Sequence, residues 1–378
     1  MQEKINYVAN IRFPTEKAHG LQIAKMCEAF AGGGADVTLI IPKRRNKIKN
    51  NSFEYYDIQT KFKVKKLWTI NIAQHTYLGF VFSSLIFGIS SYIYLLFQRG
   101  KYVIYSMDID PISFVFLPLL GRPIFFDIHG PKRSTGPYKW LMRHINGVIT
   151  INDSTKNQLV GAFNRLKDRI IVFPNGVNLE RTFSGNRKDA RKHLGLNVDG
   201  NIIFYGGSFQ DWKGLDTIVK VAQRKKEVKF YFAGGTKEEL ESIKGFDIEI
   251  PENINFLGQI NISEIPTWSK ATDIVLVTGT KRNEYSYKYT SPMKLFVSMN
   301  YKTPIVVSRT PAIEQVVNDD DVFFHEPDSA DSLSDTIDKV LSNNDEASRR
   351  AENAYKKVQE FSWENRAKSA VDFISKTK

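Results

Sequence analysis

Cysteine is almost absent from this sequence, because Cys27 is the single cysteine in 378 residues. One thiol cannot form a disulfide within the chain, which excludes the class of small secreted proteins held together by disulfides. No charged and then apolar leader with a cleavage site precedes the first strand-like run, Ile5 to Ile11. We therefore expect a cytoplasmic protein in a reducing environment. A peripheral position on the inner face of the membrane also fits this expectation.

Acidic residues are in deficit, with 41 Asp and Glu against 53 Lys and Arg, a net charge of +12 and a pI near 9.4. Such an excess suits a partner that bears phosphates: nucleic acid, an anionic membrane surface or a nucleotide substrate. The sequence has no recognised nucleic-acid-binding module, so we expect no nucleic acid partner. Two basic clusters, 43–49 and 61–66, fit a solvated loop as well as they fit an anion-binding surface.

Motifs for metals and nucleophiles are lacking as well. No stretch has the spacing of a zinc site, a P-loop or a nucleophile elbow. Asp108-Ile109-Asp110 resembles the metal-carrying DxD of other transferases, but aspartates before a proline are also common in turns. We expect neither a metal nor any other cofactor.

A long segment has no charge: between Lys66 and Arg99 the one ionisable histidine is His75, and residues 77–97 are nearly all apolar or aromatic. By length this run could span a bilayer, although serines and glycines interrupt it. A span would also place the first strand and helix on the opposite side from the rest of the chain. We favour helices that are packed in the first domain or lie in a membrane interface beside the basic clusters.

Alternating strand-like and helix-like segments fill the chain and predict an α/β protein with two doubly wound parallel-sheet domains. A turn-rich, charged stretch, 178–200, separates the two series. We predict a first domain over 1–180, a second over 181–360, and a C-terminal helix in 361–378 that packs back on the first. Ligands of such sheets bind at the carboxyl ends of the strands, so a cleft between the two domains is the expected location. The predicted strands are 5–11, 37–41, 102–105, 124–128, 147–151 and 170–173, then 202–205, 229–232, 254–257, 274–277 and 305–307.

The first half offers two candidate positions. The loop from Arg12 to Gly20 enters a helix at His19-Gly20, where free N–H groups favour an anion, although a plain turn explains a lone glycine equally well. His129 follows the strand 124–128 and could bond a sugar hydroxyl or transfer a proton, or it could simply cap a turn. We interpret Asp127 as structural, pointing away from the neighbours of His129.

The second half offers two loops that suit phosphates. Tyr205-Gly206-Gly207-Ser208 ends a strand, and Lys213 precedes the next helix, a pairing that suits a diphosphate but also fits a surface loop. Ser291-Pro292-Met293-Lys294-Leu295 reads as a capped helix start, which leaves the N–H groups of Met293 and Lys294 available to a phosphate. A capped helix without a ligand would explain Ser291 and Pro292 alone.

In this order and spacing, the motifs resemble the retaining GT-B glycosyltransferases of family 4, also called glycosyl transferases group 1. The resemblance covers essentially the whole chain. It rests on 12–20, 126–130, 174–178 (Pro-Asn-Gly-Val-Asn), 205–214 and 291–304. It implies a nucleotide-sugar donor, for which we expect a UDP- or GDP-sugar, held mostly by the second domain, an acceptor held by the first, and no metal. From the apolar stretch 77–97 and the nearby lysines we expect a glycan or lipid-linked acceptor, in cell-surface polysaccharide or glycolipid synthesis.

The resemblance also implies roles for single residues. His129 and Lys213 correspond to the catalytic positions, and Arg12, His19 and Asn152 are acceptor-side candidates. The donor-binding positions are Gly20, Gly207, Ser208, Lys213, Ser291, Pro292, Met293, Lys294 and Leu295. Val297 stands where the family usually has a glutamate that binds the donor ribose, so either a residue such as Glu284 substitutes, donor affinity is weak, or activity is lost and the chain is a binding partner of another transferase.

Overall fold

The computed structural model describes residues 3–70, 76–107, 110–179, 183–291 and 293–378. The chain divides into two compact units. The first unit is Met1–Asn175 with Trp363–Lys378, and the second is Gly176–Ser362. The break at 175/176 lies five residues before the predicted boundary.

The described part of the first unit contains a seven-stranded parallel sheet with the order β3-β2-β1-β4-β5-β6-β7. Its strands are β1 (Lys4–Val8), β2 (Asp36–Pro42), β3 (Lys63–Leu67), β4 (Val103–Met107), β5 (Ile124–Ile128), β6 (Gly147–Thr150) and β7 (Ile170–Val172). Its first five α-helices are α1 (Ala18–Gly32), α2 (Ser52–Tyr55), α3 (Tyr77–Leu96), α4 (Gly136–His144) and α5 (Asp153–Ala162).

Hydrophobic continuity explains the central strands of this sheet. All five residues of β4 and all five of β5 are buried, as expected for parallel strands covered on both faces. The edge strand β3 was not predicted, because its sequence, Lys-Val-Lys-Lys-Leu, is mostly charged and exposed. Lysines on an edge strand are a common protection against pairing with another sheet.

The described part of the second unit contains a six-stranded parallel sheet with the order β10-β9-β8-β11-β12-β13. Its strands are β8 (Ile202–Gly206), β9 (Lys229–Ala233), β10 (Ile254–Gly258), β11 (Ile274–Val277), β12 (Ile305–Ser308) and β13 (Phe323–His325). Its α-helices are α6 (Arg187–His193), α7 (Leu215–Arg224), α8 (Lys237–Glu241), α9 (Ile265–Ala271), α10 (Met293–Met299), α11 (Pro311–Glu314), α12 (Ala330–Ser342) and α13 (Asn344–Val358). Two parallel-sheet α/β units confirm the predicted fold class.

The last helix, α14 (Trp363–Thr377), belongs to the first unit and packs against α1. Phe373 of α14 lies 5.8 Å from Phe125, measured between ring centroids. A Cβ added to Gly147 would lie 2.6 Å from the Phe373 ring, so a glycine at the start of β6 allows this close approach.

Helix α3 buries mainly glycines and serines, together with Phe87 and Leu95, and exposes most of its other large side chains. Gly88 touches the segment around Ser113, since an added Cβ would lie 2.9 Å from the Ser113 carbonyl oxygen. Among the helices that the structure describes, α3 alone is long and apolar enough to cross a bilayer, by length and composition only. Its exposed large side chains are Tyr77, Leu78, Phe80, Phe82, Ile89, Ile93 and Leu96.

Candidate functional site

The chain order of the second sheet reverses between β8 and β11, which are hydrogen-bonded neighbours. In an open parallel sheet, ligands bind beside the carboxyl ends of the strands at such a reversal. The loop 207–214 follows β8, and the segment 278–291 follows β11. Thr278 joins the two segments, because its hydroxyl donates to the backbone oxygen of Lys213 over 2.7 Å.

Lys213 lies at the end of the loop after β8, in a short 3₁₀ turn over 211–213. Gly214 follows with φ +67°, and an added Cβ there would lie 3.0 Å from the Gly279 carbonyl oxygen, so glycine is required. The ammonium of Lys213 lies 3.5 Å from the centroid of the Trp212 ring, a cation–π contact. The chain therefore turns sharply and holds Lys213 beside an aromatic face.

Lys294 comes from the first turn of α10, and its ammonium is buried. Nζ lies 4.2 Å from the centroid of the Tyr205 ring, yet it has no hydrogen-bond partner within the described ranges of the chain. A buried ammonium without a hydrogen bond is unfavourable, and cation–π attraction offsets only about 0.5–2 kcal/mol of that cost. Lys294 thus lacks the anionic or polar partner that a buried cation normally has.

The two lysines lie close enough for their charges to interact. Burial lowers the pKa of Lys213 to about 8. Burial, and then the charge of Lys213, lowers the pKa of Lys294 well below its ordinary value. Both shifts mean that the second unit disfavours two positive charges here unless an anion joins them. The structure therefore brings together the two predicted lysines at the reversal of the sheet.

The glycine loop after β8 packs closely against Lys294. A Cβ added to Gly207, at φ +154°, would lie 3.3 Å from the Tyr205 hydroxyl and 3.9 Å from Cδ of Lys294. The N–H of Gly207 donates to the Ala233 carbonyl oxygen over 2.9 Å, so it already has a partner. Ser208 is exposed and lines a cavity of about 620 Å³ that opens beside the loop.

The predicted helix start before α10 lies only partly within the described residues. The α-helix begins at Met293, which is partly buried, and Pro292 lies outside the described residues. Ser291 precedes the helix and is partly buried. The Leu295 side chain is fully buried in a hydrophobic cluster with Phe296, so it serves packing and could offer a ligand only its backbone.

In the first unit, the structure places His129 in a network that sequence reasoning missed. Nε2 of His129 lies 2.8 Å from Oδ1 of Asp127. Arg366 of α14 donates to the same oxygen over 2.6 Å and also bonds the backbone oxygens of Phe173 and Pro174. The prediction that Asp127 points away from the neighbours of His129 is wrong, because residues two apart on a strand share one face.

The charges of this network are balanced. Burial by itself would raise the pKa of the Asp127 carboxyl, but the charges of Arg366 and His129 hold it well below its usual range. Tyr105 donates to Oδ2 of the same carboxylate over 3.2 Å. Asp127 therefore stays ionised and fixes the orientation of the His129 imidazole. The direction in which the second ring nitrogen points is fixed as a result. Because Arg366 is 239 residues from Asp127 in the sequence, no local pattern indicated this contact.

In the segment 12–20, which leads into α1, each candidate has contacts of its own. Arg12 pairs with Glu16 over 2.6 Å. Burial, followed by the charge of Lys17, lowers the pKa of His19. A Cβ added to Gly20 would lie 2.3 Å from the Tyr56 hydroxyl, so packing alone explains this glycine.

Two further predicted features have structural partners. Asn152 caps α5, because its side-chain oxygen accepts from the Thr155 N–H over 2.8 Å. In the 108–110 motif, Asp108 and Ile109 lie outside the described residues, and the buried Asp110 accepts a hydrogen bond from Asn10 over 2.6 Å. Among the described residues, no group of three or more His, Cys, Asp or Glu side chains is arranged to hold a metal.

Val297 and Glu284 bear on the missing ribose carboxylate. Val297 is partly buried and packs against the hydrophobic cluster of α10, so it offers no polar contact. Glu284 is exposed and pairs with Lys288 over 3.1 Å. Glu284 therefore lies at the surface with Lys288 as its partner, and its substitution for the missing carboxylate stays a prediction.

Two family models match the chain, one to each half. The model described as Glycosyltransferase Family 4 matches residues 20–181. The model described as Glycosyl transferases group 1 matches residues 186–357. Together they cover nearly all of the two parallel-sheet units.

Individual proteins resemble the chain more distantly. The D-inositol 3-phosphate glycosyltransferase of Mycobacterium leprae is 26% identical over 62% of this chain and 55% of its own length. The chain thus matches less than two thirds of that relative. Sucrose-phosphate synthase from Thermosynechococcus elongatus superposes with a TM-score of 0.77 at 16% identity, over 99% of both chains. The Anabaena protein HepE, solved with UDP and glucose, superposes with a TM-score of 0.75 at 15% identity, over 99% of this chain and 100% of its own.

Proposed function

The chain belongs to the glycosyltransferases of group 1 and family 4, with the α/β units of the GT-B fold, and we propose a substrate class and a mechanism for it. We propose that it moves a sugar from a nucleotide-sugar donor, a UDP- or GDP-sugar, to a glycan or lipid-linked acceptor. The second unit holds the donor and the first holds the acceptor. The products belong to cell-surface polysaccharide or glycolipid synthesis, and no metal takes part.

The observation that carries this proposal is the pair Lys213 and Lys294. The two partly desolvated lysines lie close enough for their charges to interact. The buried ammonium of Lys294 has no hydrogen-bond partner in the described part of the chain. A bound nucleoside diphosphate would supply the negative counter-charge that neither lysine has within the described part of the chain. The site lies at the reversal of a parallel sheet, where such sheets bind nucleotides.

In the proposed reaction, the bond between the anomeric carbon and the diphosphate oxygen breaks, and the acceptor oxygen forms the new bond as its hydroxyl proton is released. Negative charge develops on the departing diphosphate, where Lys213 and Lys294 stabilise it. His129, oriented by Asp127, positions the sugar in this proposal. Retention of configuration is the outcome that the family resemblance favours.

The proposal includes contact between the first unit and a membrane. Helix α3 exposes a row of large apolar side chains, and Trp68, just after β3, is 66% exposed. Lys63 and Lys65 lie on the adjacent strand β3, and because Lys63 is paired with Asp36, Lys65 supplies the net positive charge beside this face. An apolar helix face bordered by lysines fits an anionic bilayer surface, which would bring a lipid-linked acceptor to the enzyme.

A thermal-shift screen with UDP, GDP, ADP and CMP and their sugar conjugates tests the donor assignment. Binding to the folded state raises the melting temperature by mass action, so one nucleoside diphosphate should give the largest shift. Turnover of its sugar conjugate would then establish the activity. If no nucleotide in the screen shifts the melting temperature at millimolar concentration, the donor assignment is wrong.

Co-sedimentation with vesicles tests the membrane part. The protein should bind vesicles rich in phosphatidylglycerol at low salt and bind neutral vesicles much less. Replacing the exposed Leu78 and Phe82 with serine should abolish sedimentation without changing nucleotide binding. Equal recovery of both proteins in the supernatant with every vesicle would contradict membrane contact.

A second function has one specific observation in its favour, the apolar Val297. Without a ribose-binding carboxylate, the chain could act as a binding partner of another transferase rather than as an enzyme. This alternative predicts nucleotide binding that is weak and no turnover of any nucleotide sugar. Donor hydrolysis or transfer by the purified chain would eliminate it.

A further inference from the structure

The first unit contains a basic groove that the donor site does not involve. It has a volume of about 870 Å³ and lies between the loop after β1, the segment after β2, and the strand β3. Its charged lining residues are Arg44, Arg45, Lys49, Lys65 and Lys66. We refer to this feature as the basic groove.

The charged residues that line the basic groove all have the same sign of charge. Its five charged residues are all cationic, and no carboxylate occurs among the described residues that line it. A second cavity, of about 600 Å³ in the other unit, has Lys226 and Lys229 but also Glu249 and Glu252. Low-dielectric walls with one sign of charge concentrate the field and attract the opposite charge, so the basic groove, unlike the second cavity, favours an anion.

Neighbouring side chains hold Arg44 in place. Its Nη2 donates to Oδ1 of Asn10 over 2.6 Å, and Asn10 in turn donates to Asp110 over 2.6 Å. Asp110 accepts further bonds from Ser113 and from the Ile112 N–H. Burial lowers the pKa of Arg44, and the charge of Asp110 opposes that effect. Arg44 is therefore a fixed cation at the groove, whereas Arg45, Lys49 and Lys66 form no ion pair with any described residue.

The position of the groove connects it to the acceptor side. Phe13 and Pro14 of the loop after β1 form part of its wall, and β2 and β3 end beside it. Lys65 belongs to the groove and also reaches helix α3, where its ammonium lies 5.5 Å from the centroid of the Tyr94 ring. A molecule in the groove could therefore place a charged group on the arginines and an apolar part along α3.

We infer that the basic groove binds a phosphate group carried by the acceptor, an inference that rests on the proposed transfer function. Arg44 and Arg45 supply planar guanidinium groups that match phosphate oxygens, and Lys49 and Lys66 supply further charge. The phosphate can belong to a lipid headgroup or to a soluble phosphorylated sugar or polyol. Either source presents the same dianionic group to the groove.

The test measures binding rather than turnover. Calorimetric titrations use dihexanoyl phosphatidic acid below its micelle concentration and, separately, glycerol 3-phosphate, each with the protein saturated by the nucleoside diphosphate so that Lys213 and Lys294 are occupied. The variant Arg45→Ala/Lys66→Ala should bind the phosphate probes at least tenfold more weakly than the unmodified protein. Tighter binding of phosphatidic acid would identify a lipid source, and equal binding would identify a soluble one.

The matched control is Lys226→Ala/Lys229→Ala, which removes two lysines from the second cavity and should leave both affinities unchanged. The exchange Arg45→Lys/Lys66→Arg should restore most of the binding. Unchanged affinity of Arg45→Ala/Lys66→Ala for both probes would overturn the inference, and so would an equal loss in the control. Because the nucleotide is titrated first, a protein that binds no nucleotide refutes the proposed function separately, and the groove is then measured in Lys213→Met/Lys294→Met.

Discussion

In the first unit, the buried carboxylate of Asp127 meets Arg366 and His129, whereas in the second unit the buried ammonium of Lys294 meets another cation, Lys213. The first network satisfies its own charges and needs no ligand to be stable. The second leaves a cation without a counter-charge within the described residues. The two buried charges therefore differ in whether the described residues supply a partner, and we propose that a ligand supplies it for Lys294.

The largest expected effect comes from breaking the balanced network. Asp127→Asn leaves the Arg366 guanidinium buried beside a neutral amide, so the free energy of unfolding should fall by about 3–5 kcal/mol. Urea denaturation measures the change. The control Asp36→Asn breaks the exposed pair with Lys63, 2.8 Å apart, and should cost no more than about 1 kcal/mol. Similar losses in both variants would mean that Asp127 is not structurally special.

The unbalanced pair should respond in the opposite way. Lys294→Met removes a buried cation and keeps an unbranched apolar chain, so stability should stay the same or rise. Transfer or donor hydrolysis should slow by about 10²–10³, because one stabilising contact to the leaving group is lost. Paired measurements of melting temperature and rate check both signs. A loss of stability with an unchanged rate would place Lys294 in the structural class.

Gly20 and its control separate packing from ligand binding in the first unit. Gly20→Ala places a Cβ against the Tyr56 hydroxyl, 2.3 Å away, and should destabilise the protein by about 1–3 kcal/mol. Gly32→Ala, in the last turn of the same helix, has its nearest neighbour at 3.9 Å and should be neutral or stabilising. Nucleotide affinity should be equal in both. Weaker nucleotide binding by Gly20→Ala alone would return Gly20 to the donor site.

The smallest effect is a dependence on pH. The pKa of Lys213 is about 8 when folded, against an ordinary value of 10.5. Between these values the unfolded chain holds a proton that the folded chain has released, so the stability of the ligand-free protein should rise with pH. Nucleotide binding favours the protonated lysine, so affinity should fall above pH 8, by at most about tenfold per pH unit for one proton. Affinity that is flat from pH 7 to 10 would argue against a charged Lys213 in the complex.

Sequence patterns predicted most of the fold because the central strands are continuous apolar runs. The predicted strands 124–128 and 274–277 coincide with β5 and β11. The edge strands β3 and β13 were missed, since Lys63–Leu67 has the composition of a solvated loop and Phe323–His325 has only three residues. The other two edge strands, β7 and β10, were predicted as 170–173 and 254–257, so composition and length, rather than position at the edge of a sheet, decided which strands the sequence revealed.

The candidate site was predicted unevenly. Lys213 and Lys294 were found because each stands next to a glycine or proline signal, and the structure brings them together. The partnership of Asp127 with Arg366 could not be found, since it joins positions 239 residues apart and depends on where α14 packs. The contact between Asp127 and His129, in contrast, could have been predicted, because residues two apart along a strand lie on the same face.

The most direct test of the lysine pair compares a nucleoside diphosphate with its parent nucleoside by calorimetry at pH 7, in the unmodified protein and in Lys213→Met/Lys294→Met. We expect the unmodified protein to prefer the diphosphate at least a hundredfold and the variant to bind the two ligands about equally. A variant that keeps the full preference for the diphosphate would show that these lysines do not bind the leaving group.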